Sequence, residues 1–257
     1  MTRTVATWNV NSLRVRLTQM KDWLAANPVD VIVLQETKLP DADFPREEIG
    51  SIGMRVAFSG QRTYNGVAIL AKQEPADVVA GIPGFEDEQK RVLAATVGGV
   101  RVINVYVPNG QTVGSDKFEY KLRWLEALRG YVATELERHP QLVVLGDYNI
   151  APEDRDVHDP KAWEGSVHVS EPERAALRSL LALGLEDCFR RFEQPEKAFS
   201  WWDYRMMAFR RNAGLRIDLI LASSKLAEKC VESRIDKTPR KLERPSDHTP
   251  VLATFDI

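Results

Sequence analysis

Several features that usually announce a function are scarce or missing here. Only two cysteines, Cys188 and Cys230, occur in 257 residues. They lie far from any CxxC spacing and cannot build a disulfide framework, which points to reduced, buried thiols of a cytosolic protein. The opening MTRTVATWNVN lacks the apolar run of a secretory signal. No stretch approaches the ~20 apolar residues that a membrane span needs. There is no P-loop, no GxSxG and no GxGxxG, so the common phosphate-cradling, acyl-transfer and dinucleotide signatures are excluded. An excess of one charge is missing too: 35 Lys and Arg stand against 37 Asp and Glu. A nucleic-acid partner would therefore need a local footprint. Repeats, low-complexity segments and linkers are also absent, and residues 1–257 read as a single domain of ordinary globular composition, 44% hydrophobic and 28% charged.

What is present centres on residues 141–152, QLVVLGDYNIAP. Leu142, Val143, Val144 and Leu145 read as a buried strand that stops at Gly146. Asp147 and Asn149 follow, two apart, so in extended backbone they point the same way. A carboxylate and a carboxamide there can hold a water on one side and a phosphate oxygen on the other. The plainer alternative is a strand end whose Asp and Asn only form an Asx turn. Other strand ends carry similar cargo. Residues 4–10 alternate like a strand and end at Asn9 and Asn11. Ser12 is then a plausible N-cap for a helix to about Ala26, with Leu13, Leu17, Met20 and Leu24 as its apolar stripe. Residues 29–34 (VDVIVL) form a second buried strand running into Gln35-Glu36-Thr37-Lys38.

Residues 55–59, 66–72 and 92–107 read as antiparallel strands, with Gly98-Gly99 as a hairpin signal. VRVINVYV ends at Tyr106, close to Asn109. Residues 116–138 make the longest helix, with Phe118, Leu122, Leu125, Val132 and Leu136 on its buried face. The loop 153–169 is acidic and either orders on a ligand or is simply solvated. Residues 171–183 read as a helix opened by Pro172. Residues 199–216 (FSWWDYRMMAFRRNAGLR) hold five aromatics and four arginines against one acid. That suits phosphate contact plus stacking or wedging. A core strand with a basic flank fits about as well, since Trp201 and Trp202 cannot share one side of a strand. Asp218 sits inside an apolar strand and needs a partner. His248, in SDHTP, is the histidine it would orient.

Carboxylates, carboxamides and one histidine at strand ends suit Mg²⁺ or Mn²⁺ and phosphate-ester hydrolysis. The ordered set WNVNSLR, LQETKL, NVYVPNG, GDYNIAP, SWWDYR, LRIDLILAS and PSDHTPV resembles the exonuclease III family of apurinic/apyrimidinic endonucleases, in the endonuclease/exonuclease/phosphatase superfamily. The likeness runs from Thr7 to the last strand. It implies an α/β fold, a four-layer sandwich of two mixed β-sheets packed face to face with helices outside, and an active site at one sheet edge.

By the same resemblance Glu36 is the principal Mg²⁺ ligand, with Asn9 and Asp247 near the metal. Asp147 positions or deprotonates the attacking water. Asn149 and His248 contact the scissile phosphate, and Asp218 orients His248. Tyr106 lies beside the phosphate as acid, phenolate or simple donor. Asn109 contacts a phosphate oxygen. Trp201, Trp202 and Leu215 form the pocket for a flipped-out abasic sugar, with Asn11 and Arg205 in the DNA-binding set. The implied partner is double-stranded DNA with abasic sites or 3′ ends, bound by a monomer in the cytoplasm or nucleoid. The loop 153–169 does not match the family position by position, and Asn109 stands where some relatives carry Gln. The balance among endonuclease, 3′→5′ exonuclease and 3′-end cleaning stays open at this level. Two rivals remain: a superfamily phosphatase or phosphodiesterase acting on RNA or phospholipid head groups, and a silent DNA-binding protein on the same fold.

Overall fold

Runs of four apolar residues that end at polar groups, VIVLQ at 31–35 and LVVLGD at 142–147, lie at the centres of two sheets. The computed structural model describes residues 2–257. The chain runs β1 (Thr2–Asn9), α1 (Leu13–Ala26), β2 (Val31–Gln35), α2 (Arg46–Gly50), β3 (Arg55–Ser59), β4 (Val67–Ala71), β5 (Ala76–Ala80), β6 (Val92–Val97) and β7 (Val100–Tyr106). It continues through α3 (Asp116–Arg138), β8 (Leu142–Asp147), α4 (Pro160–Trp163), α5 (Glu171–Leu181), β9 (Leu185–Asp187), β10 (Asp218–Ser223), α6 (Ser224–Ala227), β11 (Cys230–Ile235) and β12 (Val251–Asp256).

The first sheet has strand order β11-β12-β1-β2-β4-β3 and the second β5-β6-β7-β8-β10-β9. Each carries one parallel pair, β1 with β2 and β7 with β8. A parallel pair needs a crossover, and α1 and α3 supply the two. All five residues of β2 and all six of β8 are buried, as expected of strands covered on both faces. Three apolar clusters explain the layering. One, with Val33, Ile69, Val143 and Leu145, lies between the sheets. A second packs Trp124, Leu128 and Leu177 of α3 and α5 on the second sheet. A third packs Leu13, Met20 and Trp23 of α1 on the first. The result is the four-layer α/β sandwich. Cys188 and Cys230 are free and buried.

One polar clasp crosses the inter-sheet core. Asn104 on β7 donates to the carbonyls of Leu34 and Ala68, both at 2.9 Å, and accepts from Gln35 Nε2 at 2.8 Å. A buried carboxamide is tolerated only when bonded this fully. It fixes the end of β2 against β7, immediately before Glu36.

The structure departs from the sequence reading in places. The edge strands β5, β9 and β11 were not anticipated, because they are short and carry no sustained apolar alternation. Ser12 makes no capping bond and has φ 87°. Instead the amides of Ser12 and Leu13 donate to the carbonyls of Glu36 and Thr37, at 2.8 and 3.0 Å. The start of α1 is thus tied to the end of β2 rather than capped by its own side chain. The acidic loop 153–169 turns one carboxylate inward. Asp156, fully buried, pairs with Arg216 and Arg190.

Candidate active site

The chemistry-bearing side chains converge because their strands end at one edge of both sheets. Pairing sets Asn9 beside Gln35, Tyr106 beside Asp147, and Asp147 beside Asp218. Gly146 precedes Asp147 for a steric reason: a Cβ there would lie 1.9 Å from the Val105 carbonyl oxygen. Glu36 and Asn149 come one or two residues beyond their strands, both in left-handed backbone with φ 52° and 50°. Asn tolerates that region, but for Glu36 it costs about 1–2 kcal/mol, a strain typical of functional turns.

Asp147 is the buried centre. Its Oδ1 accepts the Asn149 amide at 2.9 Å and its Oδ2 accepts Asn9 Nδ2 at 2.9 Å. The same Asn9 nitrogen donates to Glu36 Oε1 at 2.8 Å, where Tyr106 Oη also donates at 2.9 Å. Asn9 therefore bridges two carboxylates as a donor, and its oxygen accepts from Asn11 N at 3.0 Å. Lys38 covers the other oxygen of Glu36, at 2.9 Å.

His248 stands across from Asp147, with Nε2 3.6 Å from Oδ2. Its Nδ1 meets Asp218 at 2.9 Å, and Ser200 Oγ donates to Asp218 at 2.6 Å. Burial alone would strip the imidazole of its proton, but Asp218 and Asp147 outweigh it and push its pKa up to about 10. Burial raises the Asp147 carboxyl to about 7, against the lowering pull of His248. Burial, with help from Glu36 and Asp147, lifts the Tyr106 phenol well above its ordinary range. The phenol stands as a donor to Glu36 Oε1.

The remaining expected residues are placed as follows. Asp247 accepts Asn11 Nδ2 at 2.9 Å and the Trp201 indole at 3.0 Å. Backbone bridges join Trp201 to both Leu215 and His248. Trp202 turns the other way. It is fully buried, stacks edge-on to Phe209 and donates to Asn212 at 3.2 Å. Adjacent residues of an extended segment face opposite sides, so only Trp201 of the pair reaches the cleft with Leu215. Arg205 is exposed. So are Arg210, Arg211, Tyr204, Met206 and Met207. Arg216, by contrast, is buried between Asp156 and Asp187 and adds nothing to the surface charge of 199–216.

The sequence did not single out His168, Ser200, Lys121 or Trp163. His168 is buried and its Nδ1 lies 2.7 Å from the Asn149 carbonyl, while its Nε2 faces Asn109 Nδ2 at 3.4 Å. Burial, then the Lys121 charge, lowers its pKa to about 3, so it stays neutral. Its ring lies 6.2 Å from Trp163 and 6.3 Å from Trp201. The one available signal was the capping box of Ser170 and Glu173 that opens α5, because Glu173 also accepts the His168 amide at 3.0 Å.

Among the described residues, Glu36, Asp147 and His248 bring ligand atoms within 4.8 Å of one another. This set differs from the Glu36, Asn9 and Asp247 drawn from resemblance. Two of the three are carboxylates, whose oxygens suit a hard divalent cation.

Residues 6–248 match the profile of the Endonuclease/Exonuclease/phosphatase family. The chain belongs to that family. Within it the chain sits with the exonuclease III enzymes. It is 39% identical to exodeoxyribonuclease III of Haemophilus influenzae, covering 96% of this chain and 98% of that one. The 3′ phosphatase NExo from Neisseria, solved bound to product DNA hairpin, superposes with a TM-score of 0.98 at 48% identity, covering 99% of this chain and all of that one. The AP endonuclease from Archaeoglobus fulgidus superposes at 0.96 and 41% identity over the same shares. Three family relatives thus carry three activities on one scaffold.

Proposed function

We propose that this chain is a Mg²⁺-dependent DNA repair nuclease that hydrolyses phosphate esters of a 3′ oxygen, acting at abasic sites and at 3′ ends. The observation that carries the reading is the buried Asp147 carboxylate facing His248 Nε2 across a 3.6 Å gap, held by Asn9 on one side and Asp218 on the other. Asp147 takes a proton from water as its oxygen bonds to phosphorus. The P–O3′ bond breaks, and the electron pair leaves on the 3′ oxygen. His248 and Asn149 donate to the non-bridging oxygens, whose charge grows in the transition state. Glu36 would hold the cation, which when bound supplies positive charge against the phosphate. Incision 5′ to an abasic nucleotide and release of a 3′ phosphate both break this bond, so one site serves both.

Specificity falls to the Trp201 and Leu215 side. An abasic nucleotide is cheap to extrude, having no base to unstack, and an apolar wall admits its sugar. A second reading, work chiefly at 3′ ends, is favoured by the Trp163, His168 and Trp201 rings crowding that same wall at 6.2–6.5 Å. Trp201→Ala separates the two. Loss of the ring is expected to lower kcat/KM for abasic incision about 10-fold, or about 1.4 kcal/mol. Cation affinity, measured by titration calorimetry, should stay within about twofold. Equal loss of both would remove Trp201 from the pocket. A gain in abasic incision would establish the crowding instead.

A further inference from the structure

Three loops meet beside Asp147, and a single ammonium ties them. Asn109 follows β7, Asn149 follows β8, and His168 lies just before α5. Lys121, in the second turn of α3, is fully buried. Its Nζ donates to the Asn149 carbonyl at 2.7 Å and to the Asn109 carbonyl at 3.1 Å. It also pairs with Glu173, itself fully buried. Glu173 accepts the amides of His168 and Ser170, at 3.0 and 3.2 Å. The carbonyl of Asn149 can only accept, so His168 Nδ1 carries the ring proton and Nε2 is left to accept from Asn109.

An ammonium has three N–H donors, and here all three are committed. Stability alone is a poor reason for such a pair, because apolar side chains of similar volume often serve as well. The left-handed turn at Asn149 sends its carbonyl inward, where it needs a donor. Lys121 donates there beside the His168 Nδ1–H, and the same nitrogen reaches the loop of Asn109.

We infer that Lys121 is a positioning residue for the reaction: its ammonium fixes the backbone of Asn149 and Asn109 and so places both carboxamides for the substrate phosphate. The inference rests on the reading that Asn109 and Asn149 meet the phosphate.

The test compares Lys121→Met, Glu173→Gln and the double variant Lys121→Met/Glu173→Met in the full chain. Melting temperature, kcat and KM on an abasic duplex, and the backbone amide ¹⁵N resonances of Gly110 and Ile150, which follow the two carbonyls, are read for each. Lys121→Met is expected to lower kcat about 10- to 100-fold, since small misplacements of catalytic groups carry such losses, with KM changed less than about threefold. The double variant also strips the acceptor of the His168 and Ser170 amides, so it should melt below the parent and keep the loss of kcat. Glu173→Gln keeps the ammonium, so its kcat should stay within about fivefold of the parent. The amide shifts of Gly110 and Ile150, a signature of where the two carbonyls stand, should move in Lys121→Met and hold in Glu173→Gln. Recovery of kcat in the double variant, or equal impairment of Glu173→Gln and Lys121→Met, would overturn the inference. If the double variant does not fold, that second comparison decides. The resonances are recorded without substrate. A changed signature in a protein inactive on every DNA substrate would keep the positioning role and reject the functional reading. An unchanged signature in Lys121→Met would reject the role whatever happens to activity.

Discussion

Asp147→Asn is expected to lower kcat by about 10³-fold, toward the upper part of the range for a positioned general base, while the melting temperature moves by no more than about 5 °C. The substitution keeps shape and the bond from the Asn149 amide. It removes the only group at the centre of the site able to take a proton from water. The melting temperature should hold because the loss of attraction to His248 is offset by relief of repulsion from Asp218, the two charged neighbours that act on Asp147. A carboxyl raised to about 7 by burial gives the pH dependence its sign. The ionised form is the active one, so kcat/KM rises as pH climbs through that region. A variant retaining a tenth or more of parental kcat at the pH optimum would take Asp147 out of the base role.

His248→Asn is expected to cost about 10²- to 10³-fold in kcat, the usual loss for one donor to a developing oxyanion. Asn can replace the hydrogen bond to Asp218 but not the positive charge. Because Asp218 and Asp147 raise the imidazole to about 10, the protonated form is active and kcat/KM falls above that pH. Together the two groups give a bell with its acid limb from Asp147 and its basic limb from His248. In His248→Asn the basic limb should disappear while the acid limb remains. A basic limb unchanged in position and steepness would assign it to some other group.

Much of this site was legible because strand ends have a sequence signature. Glu36, Tyr106, Asp147 and Asn149 each follow a run of apolar residues. The pairings that carry them to one edge, Tyr106 beside Asp147 and Asp147 beside Asp218, keep the order the motifs imply. The two crossover helices were legible from their length, 14 and 23 residues, and their recurring apolar positions. What stayed hidden depends on contacts between distant segments. Ser12 looks like a cap, yet the first amides of α1 are taken by carbonyls after β2. Asp156 looks like one more acid of a solvated loop, and only the fold shows Arg216 and Arg190 against it. Trp202 shares a dipeptide with Trp201, but only the backbone direction decides which of them faces the cleft. Lys121 reads as an ordinary helix lysine until α5 brings Glu173 to it. Edge strands such as β5, mostly exposed along its length, carry little pattern to read.

The central claim is that one metal-assisted site hydrolyses the ester of a 3′ oxygen in DNA. The most direct measurement is cleavage of a duplex bearing a single abasic-site analogue, with Mg²⁺ and with EDTA, product ends resolved on a gel beside a duplex ending in a 3′ phosphate. The expected result is Mg²⁺-dependent incision 5′ to the lesion that leaves a 3′ hydroxyl, together with conversion of the 3′ phosphate to a hydroxyl, both abolished by EDTA. Turnover undiminished in EDTA, or no turnover of either duplex alongside hydrolysis of a soluble phosphoester, would contradict it.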